Sequence, residues 1–264
     1  MKSVSEFAAA KAAGRRISMV TCYDAAFARV LEVSQVDCIL VGDSAAMVMH
    51  GQPDTLGATV ELMAMHTAAV RRGAPTRFLV GDMPFLSFRK GIPAALDAVG
   101  ALMRSGAQAV KLEGVRGHED VITAITGSGV PVMGHLGLTP QSVNALSGFR
   151  VQGRSEDDAA RILEDAKRLE SLGCFSLVLE CVPSALAARI TRSLSIPTIG
   201  IGAGIDCDGQ VLVLQDMLGL STGHRPKFVR SYLDGFERVR EALDRFDADV
   251  KQGAFPAAAE SYDA

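Results

Sequence analysis

The sequence contains no tryptophan, few aromatic residues and almost no excess of charge of either sign. Aromatic residues make up 5% of the 264 residues, and the formal net charge is −3. A nearly neutral chain lacks the basic surface that binds nucleic acids and anionic membranes. Its apolar runs have the length of β-strands, far short of the roughly 20 residues of a membrane span. We therefore expect a protein that binds small molecules and neither nucleic acid nor membrane.

Cysteine is scarce and is not arranged in metal-binding pairs. The five cysteines are odd in number and form no C-x-x-C motif, which disfavours a disulfide framework and a zinc site. The five histidines show neither H-x-H nor H-E-x-x-H spacing, so zinc hydrolase chemistry is disfavoured too. The first residues are polar, include Glu6 and lack the apolar segment of a secretory signal. We expect a cytoplasmic protein.

Four apolar runs that each lead to a carboxylate are the main positive feature of the sequence. The runs are CILVGDS, RFLVGDM, AVKLEG and SLVLEC, and their acids are Asp43, Asp82, Glu113 and Glu180. A continuous apolar run of about four to eight residues is typical of a strand buried on both faces, as in parallel sheets. In βα barrels the active site lies at the carboxyl ends of the strands. The pattern therefore predicts that the four acids converge.

Converging carboxylates repel one another unless a cation neutralises them. Ligation by carboxylate oxygens alone favours a hard ion such as Mg²⁺. The alternative interpretation is that each acid only caps the helix after its strand, which explains a single acid better than all four.

Strands and helices alternate along the whole chain, which predicts an α/β fold, a single (β/α)8 TIM barrel with an extra N-terminal helix. Its one domain covers 1–264, with that helix inside 1–14 and a loose tail at 253–264. The predicted strands are 17–24, 38–44, 77–83, 109–114, the start of 130–144, 176–181, 196–204 and 209–216. The predicted helices are 3–13, 25–33, 60–72, 93–104, 118–126, 155–172, 183–192 and 229–249.

Local signals add detail to this outline. The spacing of Ser3 and Glu6 predicts a capping box, and Asp24 and Thr59 are placed to cap the next helices. The glycines at 200–204 follow a late strand, so they do not fit a dinucleotide fingerprint, which opens an early βαβ unit. They favour a backbone site for an anion or a bulky ligand.

Two basic side chains accompany the acids. Lys111 and Glu113 are two residues apart on one strand and therefore share a face. A lysine on a strand buried on both faces favours a clamp for a ligand over a solvent-facing residue. His135 ends the fifth strand and is either a structural residue or a ligand contact.

A divalent ion, a lysine and a spare carboxylate suit chemistry on a 2-oxo acid. The ion would polarise the ketone and stabilise the enolate that forms when the adjacent carbon loses a proton. Glu180 is the candidate base. The residues alone predict an aldolase, a lyase or a transferase and leave the electrophile open.

Longer motifs narrow this choice. They are TCYDAAFA (21–28), LVGDS (40–44), HTAAVRRGAP (66–75), VKLEG (110–114), GHLGLTPQSVN (134–144), VQGR (151–154), LVLECVP (177–183), IGIGAG (199–204), DGQVLV (208–213) and GHRPKF (223–228). In these motifs the chain resembles the ketopantoate hydroxymethyltransferase family, also called 3-methyl-2-oxobutanoate hydroxymethyltransferase.

The resemblance implies a barrel of the phosphoenolpyruvate/pyruvate type. Such an enzyme transfers a hydroxymethyl group from 5,10-methylenetetrahydrofolate to 3-methyl-2-oxobutanoate and gives 2-dehydropantoate, on the way to pantothenate and coenzyme A. The resemblance also implies a homo-oligomer, typically a decamer.

The motif match extends to individual residues. Asp43 and Asp82 would ligate Mg²⁺, Glu113 would assist directly or through water, and Glu180 would accept the proton from C3. The oxo acid would contact the side chains of Asp43, Ser44, Asp82 and Lys111, with His135 as a further candidate.

Two alternatives keep the barrel. One is a folate-independent, Mg²⁺-dependent 2-oxo acid aldolase or lyase, which a requirement for the folate donor would exclude. The other is an inactive barrel that serves as an oligomeric scaffold, which the presence of all four acids disfavours.

Overall fold

Eight parallel strands pair in chain order and close into a barrel in the computed structural model, which describes residues 1–223 and 225–262. Closure comes from the pairing of the first strand with the eighth, in the register Ile17 to Gly209. The strands are β1 Ile17–Thr21, β2 Cys38–Val41, β3 Phe78–Asp82, β4 Ala109–Glu113, β5 Val132–Gly137, β6 Ser176–Glu180, β7 Thr198–Ile201 and β8 Gly209–Leu212. The predicted (β/α)8 barrel is confirmed.

The helices follow the predicted alternation, with two short additional ones after β2 and β8. They are α1 Val4–Ala12, α2 Ala25–Val33, α3 Ala45–Val48, α4 Val60–Gly73, α5 Ile92–Arg104, α6 Glu119–Gly127, α7 Glu156–Ser171, α8 Ser184–Ser193, α9 Leu214–Met217 and α10 Gly235–Gln252. Short 3₁₀ turns cover Pro140–Ser142 and Ala258–Glu260.

The chain divides into two compact units, Met1–Val213 and Leu214–Ala264. The first unit holds all eight strands, and the second holds α9, α10 and the last 3₁₀ turn. The predicted single domain stays a prediction. His224 and the last two residues of the predicted tail, 263–264, lie outside the described residues.

Two predicted boundaries near the carboxyl end are wrong. The eighth strand ends at Leu212 instead of continuing to 216, because α9 begins at Leu214. A short apolar run is ambiguous between strand and helix, and periodicity alone could not place this change. The last long helix begins at Gly235, six residues after the predicted start at 229 (235 − 229 = 6).

Helix caps follow the sequence signals, with one exception. The carboxylate of Asp24 accepts the backbone N–H groups of Ala26 and Phe27 at 2.8 and 2.9 Å. The hydroxyl of Thr59 accepts the N–H of Leu62 at the start of α4. Side chains that satisfy the free N–H groups of a first turn stabilise the helix and fix where it begins.

The exception is the predicted capping box of α1, which does not form. The Ser3 hydroxyl forms a hydrogen bond with the hydroxyl of Ser5, and Glu6 accepts the N–H of Lys2 instead of the cap residue's own. Competition from local polar partners outweighs the spacing signal at this exposed terminus.

An apolar cluster fills the barrel interior away from the strand ends that carry the acids. It contains inward-facing residues from every strand, and Phe7 and Ala10 of α1 belong to it. Phe7 makes edge-to-face contacts with Phe78 and Phe175, with ring centroids 5.2 Å apart in both pairs. With no tryptophan available, three phenylalanines supply the bulk that closes this end. The polar side chains are thereby confined to the opposite end.

All five cysteines are free, and only Cys181 is not fully buried. Among residues 1–223 and 225–262, no helix combines the length and the apolar character needed to cross a membrane.

Helices α2 and α4 approach each other closely at a glycine, which gives a test of the packing. A Cβ atom on Gly73 would lie 2.5 Å from the Ala25 carbonyl oxygen and 2.6 Å from Ala28 Cβ. Overpacking of this kind costs about 1–3 kcal/mol. We expect Gly73→Ala to lower the free energy of unfolding, measured by urea denaturation, by about that amount.

Gly127→Ala is the matched control, because Gly127 also ends its helix and has no atom within 4 Å of its Cβ position. This change should stabilise the protein by roughly 0.5–1 kcal/mol, since alanine loses less backbone entropy than glycine. Equal effects of the two substitutions would contradict the close α2–α4 contact.

Candidate active site

A cavity of about 170 Å³ opens at the carboxyl ends of the strands. All four predicted acids line it, from β2, β3, β4 and β6, together with Ser44, Lys111 and His135. Asp82, Glu113 and Glu180 are the last residues of their strands, and Asp43 follows β2 by two positions. The parallel arrangement brings these side chains together, although up to 137 positions separate them in sequence (180 − 43 = 137).

Asp82 and Lys111 form the central ion pair. Their strands are paired in register, and Lys111 Nζ lies 2.7 Å from Asp82 Oδ1, with both side chains buried. The other oxygen, Asp82 Oδ2, accepts the backbone N–H of Asp43 at 3.0 Å. Burial raises the pKa of Asp82 even though Lys111 opposes this shift. Burial lowers the pKa of Lys111, but the nearby carboxylates outweigh it and the net shift is upward, so the amine stays charged.

Asp43 and Glu113 add two further carboxyl groups beside this ion pair. Burial, and then the charges of Asp82 and Glu113, raise the pKa of Asp43 to about 8. Glu113 Oε1 is buried and has no hydrogen-bond partner among the described residues. Carboxyl groups crowded in this way retain a proton, which a bound cation can displace. The arrangement of carboxyl groups at this site is therefore compatible with a bound cation.

Gln141, for which the sequence patterns predict no role, contacts both of these acids. Its side-chain Nε2 donates to Asp43 Oδ2 at 2.8 Å and to the Met83 carbonyl oxygen at 2.9 Å. Its backbone N–H donates to Glu113 Oε2 at 3.1 Å. Gln141 lies within the GHLGLTPQSVN motif, but nothing in the spacing of that motif identifies its partners.

His135 connects the buried acids to Glu180. Its Nδ1 lies 3.4 Å from Glu113 Oε1 and 3.3 Å from Lys111 Nζ. Its Nε2 lies 3.1 Å from Glu180 Oε2, although this nitrogen is not aligned for a hydrogen bond. Burial and the charge of Lys111 lower the pKa of His135, but Glu113 and Glu180 outweigh them and raise it to about 9. A protonated imidazole then stands between two carboxylates.

Glu180 differs from the other acids in its accessibility. Its side chain is 17% exposed, whereas those of Asp82 and Glu113 are 3% and 4% exposed. Its backbone is fixed, since Leu138 N–H donates to the Glu180 carbonyl oxygen at 2.8 Å and the next residue, Cys181, has a φ of 47°. This carboxylate faces the cavity.

Ser44 also has a partner that sequence reasoning missed. The phenol of Tyr23 and the hydroxyl of Ser44 are 2.8 Å apart. Burial raises the pKa of Tyr23, so it remains a neutral hydrogen-bonding group. Tyr23 orients the Ser44 hydroxyl at the edge of the cavity.

The donor set does not surround a metal ion by itself. Within residues 1–223 and 225–262, no three His, Cys, Asp or Glu side chains form a group that could hold one. A cation at this site would therefore complete its coordination with oxygens of a bound molecule or of water. Mg²⁺ is commonly held in this way, by one or two carboxylates plus substrate and water.

The sequence matches the family described as ketopantoate hydroxymethyltransferase over residues 1–258. The chain belongs to this family. The resemblance seen in the motifs is thus confirmed, and the chain is a transferase of pantothenate biosynthesis, as expected for ketopantoate hydroxymethyltransferases.

Curated relatives in three bacterial species share the name 3-methyl-2-oxobutanoate hydroxymethyltransferase. The protein of Bdellovibrio bacteriovorus is 56% identical, with 99% of this chain and all of the relative covered. That of Coxiella burnetii is 54% identical, with 95% of each chain covered. That of Francisella tularensis is 50% identical, with 100% of this chain and 99% of the relative covered.

Solved structures with the same fold are more distant in sequence. Phosphonopyruvate hydrolase in complex with oxalate and Mg²⁺ aligns with a TM-score of 0.64 at 11% identity, covering 98% of this chain and 93% of that one. The 2,3-dimethylmalate lyase, a member of the PEP mutase/isocitrate lyase superfamily, aligns with a TM-score of 0.63 at 15% identity, covering 94% and 86%. At such identities the match shows the fold alone, and it agrees with the expected phosphoenolpyruvate/pyruvate type of barrel.

The buried ion pair gives a prediction that does not depend on activity. In Lys111→Met the carboxylate of Asp82 loses its partner in a dry interior, which typically costs about 3–5 kcal/mol. We expect a loss of that order in the free energy of unfolding at neutral pH. In a double variant that also carries Asp82→Asn, much of the lost free energy of unfolding should be recovered, because the unpaired carboxylate of Asp82 is then removed.

Lys251→Met serves as the control, since its pair with Asp247 is largely exposed and should contribute little. A Lys111→Met protein as stable as the parent would contradict the account of this ion pair.

Proposed function

We propose that this transferase moves a hydroxymethyl group from 5,10-methylenetetrahydrofolate to 3-methyl-2-oxobutanoate and releases 2-dehydropantoate. The observation that carries the proposal is the division of the acids into two kinds. Asp43, Asp82 and Glu113 form a buried, charge-rich cluster, whereas Glu180 faces the cavity. A buried anionic cluster suits a cation that activates a ketone, and an accessible carboxylate suits proton removal beside that ketone.

Asp43 and Asp82 would hold Mg²⁺, with Glu113 assisting directly or through water. The excess of negative charge, the raised pKa of Asp43 and the unpartnered oxygen of Glu113 all fit an added divalent ion. When bound, the ion would polarise the ketone and stabilise the negative charge that develops on its oxygen. The carboxylate and keto oxygens of a 2-oxo acid, together with water, would complete the ligand set.

The substrate would contact Asp43, Ser44, Asp82 and Lys111. Lys111 supplies a buried positive charge for the carboxylate of the oxo acid, a role that its ion pair with Asp82 keeps in place. Ser44, oriented by Tyr23, supplies a hydroxyl at the rim.

Glu180 would accept the proton from C3 of the oxo acid. The electron pair left behind forms the C2–C3 double bond of the enolate. C3 then bonds to the one-carbon unit of the donor, the bonds from that carbon to the two donor nitrogens break, and tetrahydrofolate leaves. Water supplies the hydroxyl oxygen of the product. His135 Nε2 lies 3.1 Å from Glu180 Oε2 and would help to hold this carboxylate in position.

Glu180→Gln tests this assignment. The amide cannot accept the C3 proton, so exchange of that proton with D₂O, followed by NMR, should fall by about 100-fold or more. Glu164→Gln changes an exposed acid of α7 and should leave exchange unchanged. Exchange at the parent rate in Glu180→Gln would refute the role of Glu180 as the base.

A folate-independent aldolase or lyase remains the second candidate, because 2,3-dimethylmalate lyase has the same fold. Product formation that stops when methylenetetrahydrofolate is omitted would exclude it, whereas carbon–carbon bond cleavage of a 2-oxo acid without folate would favour it.

We also propose a homo-oligomer, and α10 supports this. Five large apolar side chains on α10 repeat at alternating spacings of three and four residues and are between 45% and 62% exposed: Phe236, Val239, Leu243, Phe246 and Val250. Acidic and basic residues alternate beside this stripe. An apolar stripe with heptad spacing and mixed flanking charges is typical of a helix that packs against a copy of itself.

A lysine in the middle of the stripe should weaken the assembly. We expect Leu243→Lys to lower the mass in solution, measured by sedimentation equilibrium, whereas Glu241→Lys on the polar face should not change it. A parent protein that is monomeric at micromolar concentration would contradict the proposed oligomer.

A further inference from the structure

We propose that Gln141 is a positioning residue that holds Asp43 and Glu113 in the arrangement that binds the divalent cation. This inference rests on the proposed function, because it assumes that these acids meet a cation. Gln141 is neutral, and it is not among the acids, Lys111 and Ser44 that the proposed function uses.

The first support is the number of strand ends that Gln141 connects. It is buried, and it follows β5 on the turn Pro140–Ser142. From there it contacts Asp43 after β2, the Met83 carbonyl after β3 and Glu113 at the end of β4. Gln141, on the turn after β5, thus connects groups at the ends of β2, β3 and β4.

The second support is the choice of atoms within the two carboxylates. Gln141 donates to one oxygen of each acid, Asp43 Oδ2 and Glu113 Oε2. The other oxygen of Glu113 is buried, has no hydrogen bond among the described residues and lies 3.4 Å from His135 Nδ1. An acid held by one oxygen presents the other in a fixed direction, which is how outer-shell hydrogen bonds orient metal ligands.

The third support is the chemistry of the amide itself. A primary amide has two N–H donors, and Nε2 of Gln141 uses them on Asp43 and on the Met83 carbonyl. It brings no charge, so it adds neither a competing cation nor another carboxylate to a site that already holds an excess of negative charge. Its chain length is also needed, since asparagine would be one methylene too short to make the same contacts.

The turn that carries Gln141 is itself well fixed. Pro140 restricts the backbone at the start of the turn, and the N–H of Ser142 donates to the Thr139 carbonyl at 2.8 Å. The position of the amide is therefore set by the backbone before any ligand arrives.

Gln141→Met removes the donors of the side chain and keeps its approximate length and volume. We expect the affinity for Mn²⁺, measured by electron paramagnetic resonance as a probe of the Mg²⁺ site, to fall by about 10–100-fold. The Mg²⁺ concentration that half-saturates C3 exchange should rise by a similar factor, because Gln141 acts through the ligands Asp43 and Glu113.

Asn144→Ala is the matched control, since it removes an exposed amide from the same segment. It should leave the affinity for Mn²⁺ unchanged. Gln141→Asn is a second variant. It retains an amide, but the shorter side chain does not reach Asp43, so the affinity for Mn²⁺ should fall to a similar extent. The test therefore does not depend on the folding of one variant.

The outcomes separate this inference from the proposed function. A parent that binds Mn²⁺ while Gln141→Met and Gln141→Asn bind it equally well overturns the role of Gln141 and leaves the metal site intact. A parent that binds no Mn²⁺ at millimolar concentration overturns the proposed metal site and this inference with it.

Discussion

The burial of three carboxylates beside a single lysine is the constraint on which the rest of this site depends. Asp43, Asp82 and Glu113 are held in a volume where charge is poorly screened, with Lys111 paired to Asp82 and His135 3.4 Å from Glu113. Backbone N–H groups and Gln141 satisfy individual oxygens without supplying positive charge. In the proposed mechanism an added cation would offset the remaining repulsion among these acids. Glu180 stands apart from this cluster, accessible and supported by His135, and so remains free for proton transfer.

One end of the barrel contains the apolar cluster, and the other end contains the cavity with the acids. At one end Phe7, Phe78 and Phe175 pack against apolar residues from all eight strands. That cluster buries no charged side chain, and its apolar burial provides the favourable free energy that can offset the cost of the polar end. The same strands then deliver their terminal acids to one cavity, which is the arrangement that makes such barrels suitable for catalysis.

The sequence was sufficient for the architecture and for the acids, because both depend on local patterns. Strands buried on both faces are continuous apolar runs, and their last residues must meet at one end of a parallel barrel. Tyr23 and Gln141 could not be found in this way. Gln141 reaches an acid 98 positions away, and its role exists only once β2, β3, β4 and β5 are assembled. The predicted end of β8 was wrong for a related reason. The apolar run continues from β8 into α9, and the pattern of apolar residues does not mark where the strand ends and the helix begins.

The most direct test of this account is proton–deuterium exchange at C3 of 3-methyl-2-oxobutanoate, measured on the parent protein without any folate donor. We expect exchange in the presence of Mg²⁺ and its loss on chelation with EDTA, because in the proposed mechanism the cation activates the ketone. Exchange that is unaffected by EDTA, or no exchange with Mg²⁺ present, would contradict the central claim that these acids and Glu180 together generate the enolate.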